Sequence, residues 1–398
     1  MEKIKVPEIR LEGFDGEWKR CDLEHIAIVN PKENLPDVFE YVDLESVVAT
    51  KMIFHRTENK NTAPSRAQRL AKKGDIFFQT VRPYQKNNFL FEGADNPFVF
   101  STGYAQIRTE VNGKFLLNVL QSATFVNDVI ANCKGTGYPA INPNDLAVLP
   151  FYIPVDEIEQ KAIGEYFANL DNLIYNAEDR HTKLLALKKS LLQKMFPQEG
   201  ESVPRIRFEG VEGEWERVKF GDIVTMFEDK VETPTDGYFR LGIRSWAKGT
   251  FHTYVSAGEE LSTAQMHRVS ADKFIVNITF AWEHAVAITD ENDAGKLVSH
   301  RFPQFSFQND NRPKFFRYII SGEQYRQHLA LSSPGGAGRN RVLDINEMLR
   351  YELRIPQPNE QQKIADYFDN LDNLIEAQEQ KITKLQQMKS ALLQKMFV

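Results

Sequence analysis

The side chains best suited to chemistry in this chain are forked cations and amides, and they gather in two basic stretches. From Thr50 to Leu90 nine Lys/Arg stand against two acids, Glu58 and Asp75; from Lys296 to Arg341 eight stand against two, Asp310 and Glu323. Such a bias suits a surface that tracks phosphates, although a plain solvated face carries the same signature. Reading a base edge calls for Arg or Lys towards guanine and Asn or Gln towards adenine. In and beyond the first stretch the candidates are Arg82, Tyr84, Gln85, Lys86 and Asn87, with Thr136 and Tyr138 in a Gly-rich turn. In the second they are Trp282, His284, His300 and Arg301, with Arg339, Asn340 and Arg341 after PGGAG. Loops held on a rigid scaffold are where such contacts usually sit.

Catalytic signatures are missing. There is no Asn-Pro-Pro-aromatic tetrapeptide, no GxGxxG after a strand, no GxxxxGK[ST] and no HExxH. PGGAGRN is glycine-rich but lacks the Lys-Ser/Thr of a phosphate loop, so it reads as a turn. Glu283 and His284 are adjacent, and neighbours on a strand point to opposite faces, which argues against an acid–base pair. Cys21 and Cys133 are the only cysteines, too few for a disulfide framework or a four-cysteine metal site.

The totals fit a globular protein of two or three domains: 398 residues, 42% hydrophobic and 26% charged. A net charge of −6 argues against indiscriminate nucleic-acid binding. Its distribution says more, since acids and bases cancel at 14 each from Arg20 to Pro150 and at 17 each from Arg217 to Leu353. The polar start MEKIKVPEIR and the absence of a long apolar run predict a cytoplasmic protein with no membrane segment.

What must position the candidates is a duplicated frame. The stretches Glu159 to Phe196 and Glu360 to Phe397 repeat at an offset of 396 − 195 = 201 residues without an insertion, sharing NLDNLI and LLQKMF. Ile163, Leu170, Ala177, Leu184 and Leu191 recur every seven residues, as do Ile364, Leu371, Gln378, Leu385 and Leu392. A second row, Phe167, Ile174, His181, Lys188 and Met195, is matched by Phe368, Ile375, Ile382, Lys389 and Met396. A sustained heptad predicts two long helices that pair with each other. At about 1.5 Å per residue each makes a rod of about 57 Å, long enough to hold two readers more than one DNA turn apart. A shorter repeat opens each half, PEIRLEGFDGEWKR and PRIRFEGVEGEWER, with Trp18 and Trp215 as anchors. Between leader and helix, each half predicts strands around GDIFFQTVRPYQ or KFIVNITFAWEH, then a helical segment, then a turn-rich one. The order of elements is shared but hardly any sequence is.

The duplicated helix, the GEW leaders, GDIFFQTVRPYQKN, and TGYPAINPNDL or GRNRVLDINEM ahead of each helix resemble the specificity subunit of type I restriction-modification systems. The likeness covers nearly the whole chain. It implies an α+β fold with pseudo-two-fold internal repeat: two mixed α/β target-recognition domains, residues 1–153 and 198–355, and two helical spacers, 154–197 and 356–398, forming an antiparallel coiled coil. It also implies double-stranded DNA as a partner, two methyltransferase subunits, and restriction/translocase subunits. S-adenosylmethionine, ATP and Mg²⁺ would sit on those partners, with no cofactor in this chain. The docking candidates it transfers are Tyr166, Phe167, Leu170, Asp171, Tyr367, Phe368, Leu371 and Asp372. Because the modules differ, their half-sites should differ too, making the target asymmetric. Rival expectations are a nuclease or methyltransferase acting alone, or a coiled-coil adaptor with no DNA role.

Overall fold

The computed structural model describes residues 6–135, 137–260, 265–335 and 341–398. Both duplicated stretches are single helices, Glu157–Met195 and Pro358–Lys395. Neither contains an interior proline, and Pro358 takes the first helical position, where its missing N–H costs nothing.

Close packing groups the chain into two units, Met1–Arg180 with Gln378–Val398, and His181–Ala377. The division cuts both long helices, so packing departs from linear order and each unit combines one module with part of each helix. In the first unit Ile163, Phe167, Leu170, Ile174 and Ala177 are buried, as the heptad predicts. Ile163 and Phe167 share a core with Met396 and Phe397, just past the end of the other helix, and the Phe397 ring lies 5.8 Å from Phe167 and 6.3 Å from Trp18. Lys389 pairs with Asp171 at 2.6 Å, while the Gln378 amide donates to the Ala177 carbonyl at 3.1 Å. Ascending numbers on one helix face descending numbers on the other, so the helices run antiparallel. The second unit repeats this with the roles exchanged. Phe196 packs 5.8 Å from Trp215 and 6.2 Å from Phe368, and Lys188 pairs with Asp372.

The modules share a topology. In the first, one sheet runs in the order Ala27–Val29, Tyr104–Thr109, Ile76–Gln79, Phe89–Leu90; in the second the order is Val224–Phe227, Gln304–Phe307, Lys273–Val276, Val286–Ile288. The other sheet of each module holds one parallel pair, Val38–Val42 with Phe98–Ser101 and Tyr238–Ile243 with Leu297–Val298. The helical segment expected from Phe115 to Cys133 is two helices, Gly113–Val119 and Ala123–Ala131. Ser122 restarts the second by accepting from the Phe125 N–H. Its counterpart divides likewise into Pro313–Ile320 and Glu323–Leu331.

Each leader is tied down twice. Trp18–Cys21 pairs with Phe151–Pro154, and Glu216–Lys219 with Glu352–Ile355, the strands that deliver the chain into the long helices. An arginine then grips the first turn of the helix: Arg10 donates to both oxygens of Glu159 at 2.7 and 2.6 Å, and Arg207 to both of Glu360 at 2.7 Å. Glu159 and Glu360 are buried, and these hydrogen bonds raise both arginine pKa values. Removing one partner of a buried pair strands the other charge, at about 3–5 kcal/mol. Arg10→Ala is therefore expected to lower the unfolding free energy of the first unit by about that much in urea titrations, and a loss under about 1 kcal/mol would show the clasp to be idle.

Candidate nucleic-acid interface

In the first module a single 3-10 turn, Pro83–Gln85, links two strands of the sheet and is bracketed by left-handed residues, Arg82 and Lys86. Such conformations cost of order 1 kcal/mol or more for a non-glycine residue and need outside support. The support is visible. The Arg82 N–H donates to the Pro139 carbonyl at 2.7 Å, and the Lys86 ammonium to the Gln121 carbonyl, between the two short helices, at 2.9 Å. Burial, with Lys389 nearby as a lesser cause, lowers the Lys86 pKa. The Asn87 side-chain oxygen accepts from the Ala49 N–H, and that of Gln85 from the Gln79 amide.

Of the predicted base readers, Lys86 and Asn87 are thus turned to holding the loop. Arg82 and Tyr138 come together towards solvent, and Tyr84 is exposed on the turn. The guanidinium sits 4.3 Å from the Tyr138 ring centroid, with Tyr138 69% and Tyr84 50% exposed. Thr136 lies outside the described residues.

The second module builds the same turn from different side chains. Ala281–Glu283 is the 3-10 turn and His284 the left-handed residue that closes it. A shift of 198 carries Tyr84 onto Trp282 and Lys86 onto His284. The same shift carries buried Gln106 onto Gln304, whose amides donate to the Leu70 and Arg268 carbonyls at 2.7 and 3.0 Å. His284 is a correction to the sequence reading: it is 3% exposed, and its Nε2–H donates to the Ile320 carbonyl at 2.6 Å. It anchors the turn to the short-helix corner as Lys86 does, and cannot reach a groove. Glu283 instead accepts from the Ser245 hydroxyl at 2.7 Å, so no acid–base pair forms.

Trp282 donates to the Thr279 carbonyl and carries Arg341 5.5 Å from its ring centroid. His300 and Arg301 are exposed, and the Arg301 carbonyl accepts from the Ile278 N–H at 3.0 Å. Arg339 and Asn340 lie outside the described residues. Each module therefore presents an aromatic side chain and a stacked arginine. Such pairs offer a π face and a forked donor to a nucleic acid.

The docking candidates divide. Phe167, Leu170, Phe368 and Leu371 are buried in their own units and cannot meet a partner, a correction forced by packing of the helix pair against the modules. Asp171 and Asp372 serve the ion pairs already described. Tyr166 and Tyr367 remain exposed, and seven residues on are the exposed Leu173 and Leu374, which the sequence reading missed. Recurrence of apolar residues outside the two buried heptad rows was the available signal. Also missed was the hairpin Tyr238–Ile243 with Thr250–Val255, which its charge pattern could have revealed.

Among the described residues no group of His, Cys, Asp and Glu is arranged for a metal, and no helix is long and apolar enough to cross a membrane.

Two tandem modules of one topology, each packed against parts of both long helices, define a class of protein built on an internal repeat. The family model described as type I restriction modification DNA specificity domain matches residues 50–186 and 212–387. The chain belongs to that family, as a specificity subunit with two DNA-recognition domains. It is 22% identical over 338 residues to the type I restriction enzyme MjaVIII specificity subunit of Methanocaldococcus jannaschii, covering 81% of this chain and 73% of that protein. It is 25% identical over 195 residues to the HindI specificity subunit of Haemophilus influenzae, covering 46% of this chain and 40% of that one. Among solved structures, the type I restriction-modification S subunit from M. genitalium aligns with a TM-score of 0.62 at 14% identity, over 99% of both chains. A chain described under complex assembly and conformational transition of the type I R-M system aligns at 0.54 and 19% identity, over 95% and 96%. These structural likenesses speak for the fold.

Burial lowers the His284 pKa, so the neutral ring belongs to the fold. Its contribution to stability is complete above about pH 6.5 and is lost as pH falls below that, where the unfolded chain takes up the proton. In urea unfolding at pH 7.5 and 5.5, His284→Gln should show a smaller stability difference between the two pH values than the unsubstituted chain; equal differences would remove His284 from the pH response.

Proposed function

We propose that this chain is a non-catalytic specificity subunit that reads an asymmetric, bipartite double-stranded DNA target, one half-site per module. The observation that carries this is the shared 3-10 turn fitted with different side chains, Tyr84 in one module and Trp282 in the other, each accompanied by a stacked arginine, Arg82 on Tyr138 and Arg341 on Trp282. One scaffold with two reading heads implies two different half-sites, and the helices set the spacer between them. Arg82 suits a guanine edge.

On the same reading, two methyltransferase subunits dock on the exposed faces of the long helices, around Tyr166 with Leu173 and Tyr367 with Leu374. They bring S-adenosylmethionine, and a restriction/translocase subunit brings ATP and Mg²⁺. The work takes place in the cytoplasm, where the DNA is.

Methylome mapping in cells that carry the chain with its methyltransferase tests this. Arg82→Ala should relax one base of one half-site by about 5- to 150-fold, the worth of a good bidentate contact, and Trp282→Ala should affect only the other half. Exchange of residues 20–150 for another module should rewrite one half alone. Changes in both halves from any single substitution would defeat the one-module, one-half-site reading. Cleavage or methyl transfer by the purified chain would overturn its non-catalytic role.

A further inference from the structure

The hairpin from Tyr238 to Val255 carries Arg240, Arg244 and Lys248 and no aspartate or glutamate, a local charge of 3 − 0 = +3. Among the described residues none of these three cations pairs with a carboxylate. The carboxylates that reach the hairpin go elsewhere: Asp293 to His252 and Thr250, both at 2.8 Å, and Glu283 to Ser245.

The register places Arg240 and Gly242 on one face, with Phe251 opposite Gly242. A Cβ at position 242 would come within 2.3 Å of the Phe251 ring, so glycine lets the ring lie across the strand. Arg244 then stacks over that ring at 5.3 Å. Exposed Trp246, with Arg326 5.6 Å from its centroid, joins this face to the reading turn, because the Trp246 and Ala247 N–H groups donate to the Glu283 and His284 carbonyls at 2.9 and 2.8 Å.

The equivalent hairpin of the first module, strands Val38–Val42 and Arg56–Asn59, has the opposite character. From Val38 to Asn59 there are two Lys/Arg and four acids, 2 − 4 = −2. Both cations are committed there, Arg56 to Asp43 and Glu58 at 2.9 and 2.8 Å and Lys51 to Glu178 at 2.6 Å.

We propose that the Tyr238–Val255 hairpin is a second DNA-contacting element, confined to the second module, which grips the phosphate backbone of the duplex beside that module's half-site. Cations without a carboxylate partner, interleaved with aromatic rings and continuous with the reading turn, match a polyanion with stackable edges. The grip is independent of sequence, so the two modules contribute unequally to affinity while both contribute to specificity. This rests on the DNA-reading function proposed above.

The test is the salt dependence of binding of the full chain, with its methyltransferase subunits, to a labelled random-sequence duplex of about three helical turns. Each phosphate contact adds about 0.9 to the slope of log affinity against log salt. The triple substitution Arg240→Gln, Arg244→Gln, Lys248→Gln should reduce that slope by about 2 to 3, while Arg56→Gln in the first hairpin leaves it unchanged. An unchanged slope in the triple variant, with duplex binding retained, overturns the grip and leaves the DNA-reading function standing. Loss of methyltransferase co-purification without a change in slope would assign the face to a protein and equally overturn it. Absence of duplex binding by the unsubstituted assembly would take down both proposals.

Discussion

Neither module can close its core alone. The end of the first long helix puts Phe196 against Trp215 and Phe315 in the second unit, and the end of the second puts Phe397 against Trp18 and Phe115 in the first. Burying one such ring is worth about 1.5–3 kcal/mol, and truncating it in a core costs about 3–5 kcal/mol. The antiparallel course of the helices follows from this exchange. Asp171 with Lys389 and Asp372 with Lys188 then fix the register, one pair in each unit. A polar side chain at a seam position specifies alignment, and Gln378, bonded to the Ala177 carbonyl, does so at the repeat position that alanine occupies in the other copy.

On that frame the chemistry of recognition is free to vary. Lys86 and His284 differ in charge and shape, yet each closes a left-handed turn and donates to a carbonyl at a helix corner. The middle position of the turn is less tightly packed than the closing one, and Tyr84 and Trp282 stand there at equivalent places. The hairpins carry variation further, with one net acidic and its arginine held by its own carboxylates, and the other left cationic. On the proposed reading, specificity and affinity are built by different parts of the second module.

Much of the frame was legible in the sequence because duplication and the seven-residue period are local signals. The strand in GDIFFQTVRPYQ was legible because its alternation is a local signal too. The orientation of side chains beyond it was not. Lys86 reads as a surface cation until the Gln121 carbonyl is seen beneath it, and His284 as a groove contact until the short helices close over it. The clasps of Arg10 on Glu159 and Arg207 on Glu360 escaped notice because about 150 residues separate the partners, |i−j| being 149 and 153. Phe167, Leu170, Phe368 and Leu371 look like partner contacts only while the modules they pack against are out of view. Composition along the second hairpin was readable, but its meaning depended on the contrasting pairings of Arg56 and Lys51 in the first.

Zero-length carbodiimide coupling followed by peptide mass spectrometry examines the helix pairing directly, using residues already present. Intramolecular isopeptide links between Lys389 and Asp171 and between Lys188 and Asp372 are the expected products, at 2.6 Å for the first pair. Recovery of these links only between separate chains, or their absence while surface pairs such as Lys51–Glu178 couple readily, would contradict a fold in which each reader stands on both helices of its own chain.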